Sequence, residues 1–319
     1  MEQAAKKDVI MRFIHLLTLL AWGGVVVLFS GCRTATAYQS PVTQFQTSIN
    51  SANSGIRTYL LGVNDVIAKG TLYTEYSASD TPAWQTKDLA NGIPDAEIQV
   101  RLQALATISA YANALEAIAD SQDVANLQQA AKTLGANVNT LSATVKSINP
   151  ADHGSIDLGD PVTALITLFG TIGIEHQQQA VLEKEIIAGS TNVDAIIDKL
   201  RADAKTFSVV IDVYEDQIWA GKLRNYNKEI KTASPQNVDA LITQVVADYD
   251  SVQSLKSAPM DALLATMENA HQALVVFAKS SKTPKDLSDL AGQINIFAGQ
   301  VQLFNNALSS IQLAINSTK

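Results

Sequence analysis

Cysteine is almost absent from this chain of 319 residues, since Cys32 is the only one. A single thiol excludes any disulfide within the chain, so the fold must be held by its hydrophobic core. Glycine and proline are also scarce, with 16 and 8 residues. Because these two residue types interrupt regular structure, their scarcity excludes a chain built from many tight turns and favours long helices.

Basic residues are fewer than acidic ones, with 23 Lys and Arg against 31 Asp and Glu and a net charge of −8. The bases form no cluster along the sequence. A nucleic-acid-binding domain carries a basic patch or stripe, so we expect no nucleic-acid partner. The same deficit argues against electrostatic binding to anionic lipid headgroups.

The sequence motifs of several large enzyme classes are missing: Gly-x-Ser-x-Gly, the P-loop, Gly-x-Gly-x-x-Gly and His-Glu-x-x-His. Of the four histidines, His15 lies in the N-terminal segment and His153 in a predicted loop. Glu268 and His271 form one Glu-x-x-His, a spacing used in di-iron bundles, but no second copy exists. We interpret His271 as a surface or rim histidine and His176 as a hydrogen-bonded core or rim histidine.

These gaps predict a protein without catalytic machinery, metal site or other cofactor. A serine nucleophile stays open as an alternative, because the members of a catalytic triad are brought together by the fold and not by the sequence. An enzyme of unknown class therefore stays open as a functional hypothesis, after the two that are developed below.

The N-terminal segment has the organisation of a secretory signal. Lys6, Lys7 and Arg12 precede a stretch from Phe13 to Phe29 that contains no Asp, Glu, Lys or Arg, and small residues follow it. A basic start, an apolar middle and a small-residue exit are typical of export signals. Met11 is an alternative start, which leaves a signal of 21 residues before Cys32.

The sequence Leu28-Phe29-Ser30-Gly31-Cys32 resembles the lipobox of bacterial lipoproteins, with Phe29 where that motif usually has Leu, Val or Ile. The resemblance covers residues 1–32. It implies a signal peptide over 1–31, cleavage before Cys32, and a covalent diacylglycerol and acyl chain on the Cys32 thiol. Two alternatives stay open: an uncleaved membrane anchor, and a plain secretory signal with a coincidental cysteine.

The lipoprotein resemblance also implies an extracytoplasmic, lipid-anchored location. Arg33, not Asp, follows the cysteine, and such lipoproteins usually move to the outer membrane in cells with two membranes. In cells with one membrane the protein would stay on its outer face. Loss of residues 1–31 leaves 20 bases and 29 acids, a net charge of −9, so the acyl chains must supply the membrane affinity.

Beyond the signal, the sequence predicts an all-α fold: an elongated bundle of about seven long antiparallel helices with coiled-coil-like packing. Apolar residues recur at spacings of three and four, most clearly from Leu287 to Ile315, which is the seam of long helices that cross at shallow angles. We expect an acylated cysteine and short polar tether over 32–40 and one helical domain over 41–319. The predicted helices are 41–76, 94–119, 121–148, 161–188, 192–231, 235–280 and 284–317.

Prolines and capping residues predict where several helices begin. Ser40-Pro41, Asp160-Pro161, Ser234-Pro235 and Thr283-Pro284 each join a capping residue to a proline at the first helical position. Thr191 with Asp194 resembles a capping box. Pro259 is expected to kink or split the sixth helix. The second and third helices are either separate or one rod bent near Asp120.

Two features suggest functional hypotheses. Residues 162–174 contain no charge and form either a buried core helix or a membrane-inserting element, similar in architecture to that of helical pore-forming toxins. In the second case, the lipid-facing residues would be Leu165, Leu168, Phe169 and Ile172. Trp84, in the polar loop 77–93, is a possible partner contact, or it folds back and caps a bundle end.

From these observations we expect a lipid-anchored, non-catalytic helical protein. It would act as a structural, binding or partner-interaction module at the cell envelope, with an envelope protein or a glycan as partner. The alternative is a membrane-active helical bundle that inserts residues 162–174.

Overall fold

The computed structural model describes residues 33–78, 85, 92–120, 124–147, 178–256 and 260–316. Throughout these ranges the regular secondary structure is α-helical, and the helices pack against one another. The predicted all-α bundle is therefore confirmed. The helices are α1 (Arg33–Ala78), α2 (Asp95–Ala119), α3 (Val124–Ser147), α4 (Gln178–Glu229), α5 (Pro235–Lys256), α6 (Met260–Lys279) and α7 (Pro284–Asn316).

Two predicted helix starts are confirmed: α5 begins at Pro235 and α7 at Pro284. At the second of these, the Thr283 N–H donates to Asp286 Oδ2 over 2.9 Å, and the Asp286 N–H donates to Thr283 Oγ1 over 3.2 Å. This reciprocal pair is a capping box, with Asp in the place usually taken by Glu. Pro259, predicted to kink or split the sixth helix, lies outside the described residues, between α5 and α6.

The predicted tether over residues 33–40 is wrong, because α1 already begins at Arg33 and contains Pro41. Tyr38 is buried, its ring meets Phe277 edge-on at 4.9 Å, and its hydroxyl donates to Glu183 over 3.0 Å. A proline within a helix removes one backbone hydrogen bond. The burial of Tyr38 and Val42 in the core outweighs that local cost and extends the helix beyond the proline.

The predicted boundary between residues 188 and 192 is also wrong. Helix α4 runs without interruption for 52 residues, a length of about 78 Å. Asp194 does not cap a helix start, because its carboxylate accepts hydrogen bonds from His271 and Gln272 on α6. The second and third helices are separate, since α2 ends at Ala119 and packs against α3. The predicted start at Asp160-Pro161 lies outside the described residues.

Helices α1, α4, α6 and α7 form the centre of the bundle. Helix α2 packs against α1 and α4, α3 packs against α2, and α5 packs against α4 and α7. One continuous core joins the central helices to α2 and α3. Its largest fully buried side chains include Tyr38, Phe45, Tyr111, Phe277, Phe297 and Phe304.

Two glycines allow α1 and α4 to approach closely, each accommodating a tyrosine of the other helix. A Cβ added at Gly70 on α1 would lie 2.6 Å from the Tyr214 ring and 2.9 Å from the Tyr214 backbone oxygen. A Cβ added at Gly221 on α4 would overlap the ring of Tyr73. The glycines therefore set the spacing of the two longest helices at this point.

We expect Gly70→Ala to lower the free energy of unfolding by about 1–3 kcal/mol, because the new methyl group meets the Tyr214 backbone oxygen as well as its ring, and the backbone cannot move aside as a side chain can. Gly62, on the same helix, has open space around it, so Gly62→Ala serves as the control. It should raise stability by up to about 1 kcal/mol through helix propensity alone. Urea unfolding of both variants tests the pair, and equal gains would contradict close packing at Gly70.

Candidate functional site

Most residues singled out from the sequence lie outside the described part of the chain. These are Cys32, Trp84, His153, His176 and the apolar segment 162–174 with Leu165, Leu168, Phe169 and Ile172. Their predicted roles in lipidation, partner contact and membrane insertion stay predictions.

His271 is the exception, and its interpretation as a surface or rim residue is wrong. Its side chain is fully buried on α6 and links three helices. The Asp194 carboxylate on α4 lies 2.6 Å from His271 Nδ1, and the Tyr111 hydroxyl on α2 lies 3.0 Å from Nε2. Phe45 of α1 stacks on the imidazole with ring centres 6.2 Å apart. A substrate has no access to this histidine, so the arrangement is a hydrogen-bonded network within the core.

The Glu-x-x-His spacing on α6 does not bring Glu268 and His271 to one ligand. Glu268 pairs with Arg201 of α4 at 3.1 Å, whereas His271 bonds to Asp194. Within the ranges that the structure describes, no three His, Cys, Asp or Glu side chains are grouped as metal ligands would be.

Glu185 is a second buried polar group on α4. Its side chain is almost fully buried, and no described residue bonds to its Oε2. Burial raises the pKa of the Glu185 carboxyl, an effect partly opposed by the nearby Lys184 charge. Burial also raises the pKa of the Tyr111 hydroxyl, and the charges of Asp194 and Glu185 add to that shift.

The raised pKa of Glu185 predicts a pH-dependent cost to stability. In the unfolded chain the carboxyl ionises near its ordinary pKa of 4.5, while the folded state holds the proton to higher pH. The stability gained from that difference is present below pH 4.5 and is lost as the pH rises through the folded-state pKa. We expect Glu185→Gln to match the parent at pH 4 and to be more stable at pH 7.5. Thermal unfolding at both pH values measures this, and a gain of equal size at pH 4 would contradict the assignment.

Arg101 of α2 lies at the centre of a buried ion cluster. Its guanidinium forms a two-point contact with Asp203 of α4, in which Nη2 lies 2.9 Å from Oδ1. Nη1 donates to the Glu97 backbone oxygen over 2.7 Å and reaches the Glu97 carboxylate at 3.4 Å. The guanidinium also lies over the Phe207 ring, 4.5 Å from its centre. This cluster joins α2 to α4.

A second apolar repeat, the outer seam, runs along the solvent side of α4. It occupies nine exposed positions spaced alternately by four and three residues, the period of a coiled-coil seam, and six of the nine are apolar. The seam consists of Ala202, Thr206, Val209, Val213, Asp216, Ala220, Leu223, Asn227 and Ile230. The exposed fractions of Val209 and Val213 are 65% and 51%, whereas Ile211, about 200° around the helix from both, is buried.

Helix α5 adds a parallel apolar stripe formed by Ile242, Val246 and Tyr249, which are 54%, 53% and 44% exposed. The rings of Tyr249 and Trp219 lie 5.1 Å apart, so this stripe borders α4. The buried Asp248 fixes the two helices together by accepting from Lys222 over 3.0 Å and from Tyr226. The outer seam and the α5 stripe together form the α4/α5 apolar surface.

The α4/α5 apolar surface was missed by sequence reasoning. On the inner side of α4, the apolar repeat that includes Val193, Ile197, Leu200 and Ile211 is buried. Three acids of α4 do not lie on a solvated face: Asp194 bonds to His271, Asp203 pairs with Arg101, and Glu215 is fully buried. The spacing of the outer seam, alternately four and three residues, can be seen in the sequence, but the sequence does not show that these side chains are exposed.

No family model, curated protein or solved structure matches this chain. Among the helices that the structure describes, none combines the length and apolar character needed to cross a bilayer.

Proposed function

We propose that this protein is a lipid-anchored, extracytoplasmic helical protein that acts as a non-catalytic partner-interaction module at the cell envelope. The lipobox-like sequence before Cys32 supports the anchor, and Arg33 after it supports the outer membrane in cells with two membranes. Two or more acyl chains hold a protein stably on a bilayer and keep it close to envelope partners.

The observation that carries the interaction role is the α4/α5 apolar surface. A cluster of exposed large apolar side chains, such as Val209, Val213, Ile242 and Val246, often marks a surface that another molecule covers. The outer seam extends from Ala202 to Ile230 with coiled-coil spacing, and such a repeat accepts the apolar face of another helix. The partner proposed here is therefore an envelope protein that presents an amphipathic helix.

Photo-crosslinking in cells that make the full chain tests the interaction. A crosslinking amino acid replaces Val213 in the outer seam or, as control, Lys285 on α7, whose side chain is 81% exposed. We expect a discrete crosslinked product from position 213 alone, lost when Val209→Lys is added. Identical products from both positions, or none from position 213, would contradict the proposal.

The anchor is tested separately by mass spectrometry of the N-terminal peptide. Cleavage before Cys32 and the added mass of acyl chains are expected for the parent, whereas Cys32→Ser should stay at precursor length. Dye release from liposomes by the parent, abolished by Phe169→Asp, would instead favour the membrane-active alternative.

A further inference from the structure

A polar cleft lies between α1, α2 and α3. Its volume is about 410 Å³, within the range of small-ligand sites. Amide and hydroxyl side chains from three helices surround it, above a floor that includes Leu102, Leu105 and Ala106. The polar lining residues are Asn50, Asn53, Ser54, Arg57, Ser109, Asn113, Thr133 and Asn137.

Hydrogen bonds within the wall hold several of these amides in place. Gln46 Nε2 and Asn50 Nδ2 both donate to Asn113 Oδ1, over 2.8 and 3.1 Å. Asn53 Nδ2 donates to the Leu105 backbone oxygen over 2.6 Å and to the Ser109 hydroxyl. Side chains that are fixed before a ligand arrives lose little conformational freedom when it binds.

The wall nevertheless retains unused hydrogen-bonding capacity. Asn53 Oδ1 is buried and accepts no hydrogen bond from the described residues. The Asn113 carboxamide oxygen accepts twice, which leaves its amino group to donate toward the cleft. The Asn113 amino group is therefore the donor that this wall offers to a ligand, whereas Asn53 Oδ1, which has almost no accessible surface, is not within a ligand's reach.

The charge in the cleft differs from that of the whole chain. Arg57, exposed on α1, is the only charged side chain among the described residues that line it, and none of them is acidic. No described residue pairs with the Arg57 guanidinium. In a chain of net charge −8, an arginine that no described acid pairs with, set in a ring of amides, can select for a carboxylate, which it binds at two points.

We propose that this cleft binds a short acidic oligosaccharide. The sugar hydroxyl groups bond to Asn113 and Asn137, the C–H faces of the rings lie on the apolar floor, and a uronic-type carboxylate pairs with Arg57. Neutral polar donors and acceptors around an apolar base suit a hydroxyl-rich ligand, and the guanidinium supplies the preference for acid. The site is separate from the α4/α5 apolar surface, so either can fail without the other.

Isothermal titration of the full chain, held in a detergent without sugar headgroups, tests the proposal. The probes are short oligosaccharides that contain uronic, muramic or sialic acid, each with its carboxyl-reduced counterpart. We expect at least one acidic probe to bind, and its reduced form to bind about tenfold or more weakly because one charge-assisted pair is lost. Arg57→Gln should remove that difference, while Lys205→Gln on the exposed side of α4 should preserve it.

Asn137→Leu should weaken acidic and reduced probes alike, with an unchanged thermal transition as proof of folding. The proposal would be overturned if no probe bound with a Kd below about 1 mM, or if Arg57→Gln and Lys205→Gln had the same effect. Equal binding of acidic and reduced forms would overturn the role of Arg57 and with it the acidic ligand.

Discussion

Replacing Arg101 with methionine is expected to lower the free energy of unfolding by about 3–5 kcal/mol. The guanidinium is 3% exposed and neutralises Asp203 and Glu97, whose side chains are 16% and 8% exposed. Methionine preserves much of the volume but leaves both carboxylates without a counter-charge. A buried, uncompensated charge is far more costly than the modest net gain of forming the pair.

The matched control for Arg101 is Arg201→Met. Arg201 pairs with Glu268 at 3.1 Å, but these side chains are 36% and 22% exposed, so solvent screens the pair and the loss should be about 1 kcal/mol or less. The double variant Arg101→Met with Asp203→Leu should recover much of the lost stability. Urea unfolding measures the free energy of unfolding of these variants. An equal loss from Arg101→Met and Arg201→Met would contradict the view that burial strengthens the Arg101 cluster.

Tyr38→Ala is the second large effect, with an expected loss of about 3–5 kcal/mol. The substitution empties a fully buried ring position against Phe277 and removes the donor to Glu183. Glu183 also pairs with Lys282 at 3.2 Å, so this contact ties α1 to α4 and to the end of α6. The prediction depends on residues 33–40 being helix and not tether.

Gln39→Ala tests the same segment without touching the core. Gln39 is exposed and donates to Asp120 Oδ1 over 2.8 Å, so its replacement should cost less than about 1 kcal/mol. Thermal and urea unfolding of the two variants compare them directly. If Tyr38→Ala were as stable as Gln39→Ala, residues 33–40 would not be packed on the core, and the short polar tether predicted from the sequence would be correct.

Local sequence was a good guide wherever local physics sets the structure. Pro235 and Pro284 begin helices because proline lacks the N–H that the first turn cannot use, and Thr283 completes the cap. The same rule failed at Pro41 and at Thr191. At both positions, core burial along a continuous stripe is worth more than the roughly 1–3 kcal/mol that a cap or a proline contributes.

The sequence could not predict the candidate sites, because each site depends on contacts between residues that are far apart in the chain. His271 is 77 residues from Asp194 and 160 from Tyr111, and neither separation is visible as a motif. Glu268 and His271 share a helical spacing but have different partners. The amides of the polar cleft come from three helices, and on each helix alone they resemble an ordinary solvent-exposed polar face.

The sequence by itself determined the helical class of this protein, the apolar seams of its helices and the lipobox-like segment that predicts its anchor. These features follow from composition and from spacings within a few residues, where each position depends mainly on its neighbours. Only the tertiary structure decided where α1 and α4 begin and end, that His271 is buried, and which surfaces stay exposed. Those outcomes depend on contacts between helices far apart in the chain, which local periodicity does not encode.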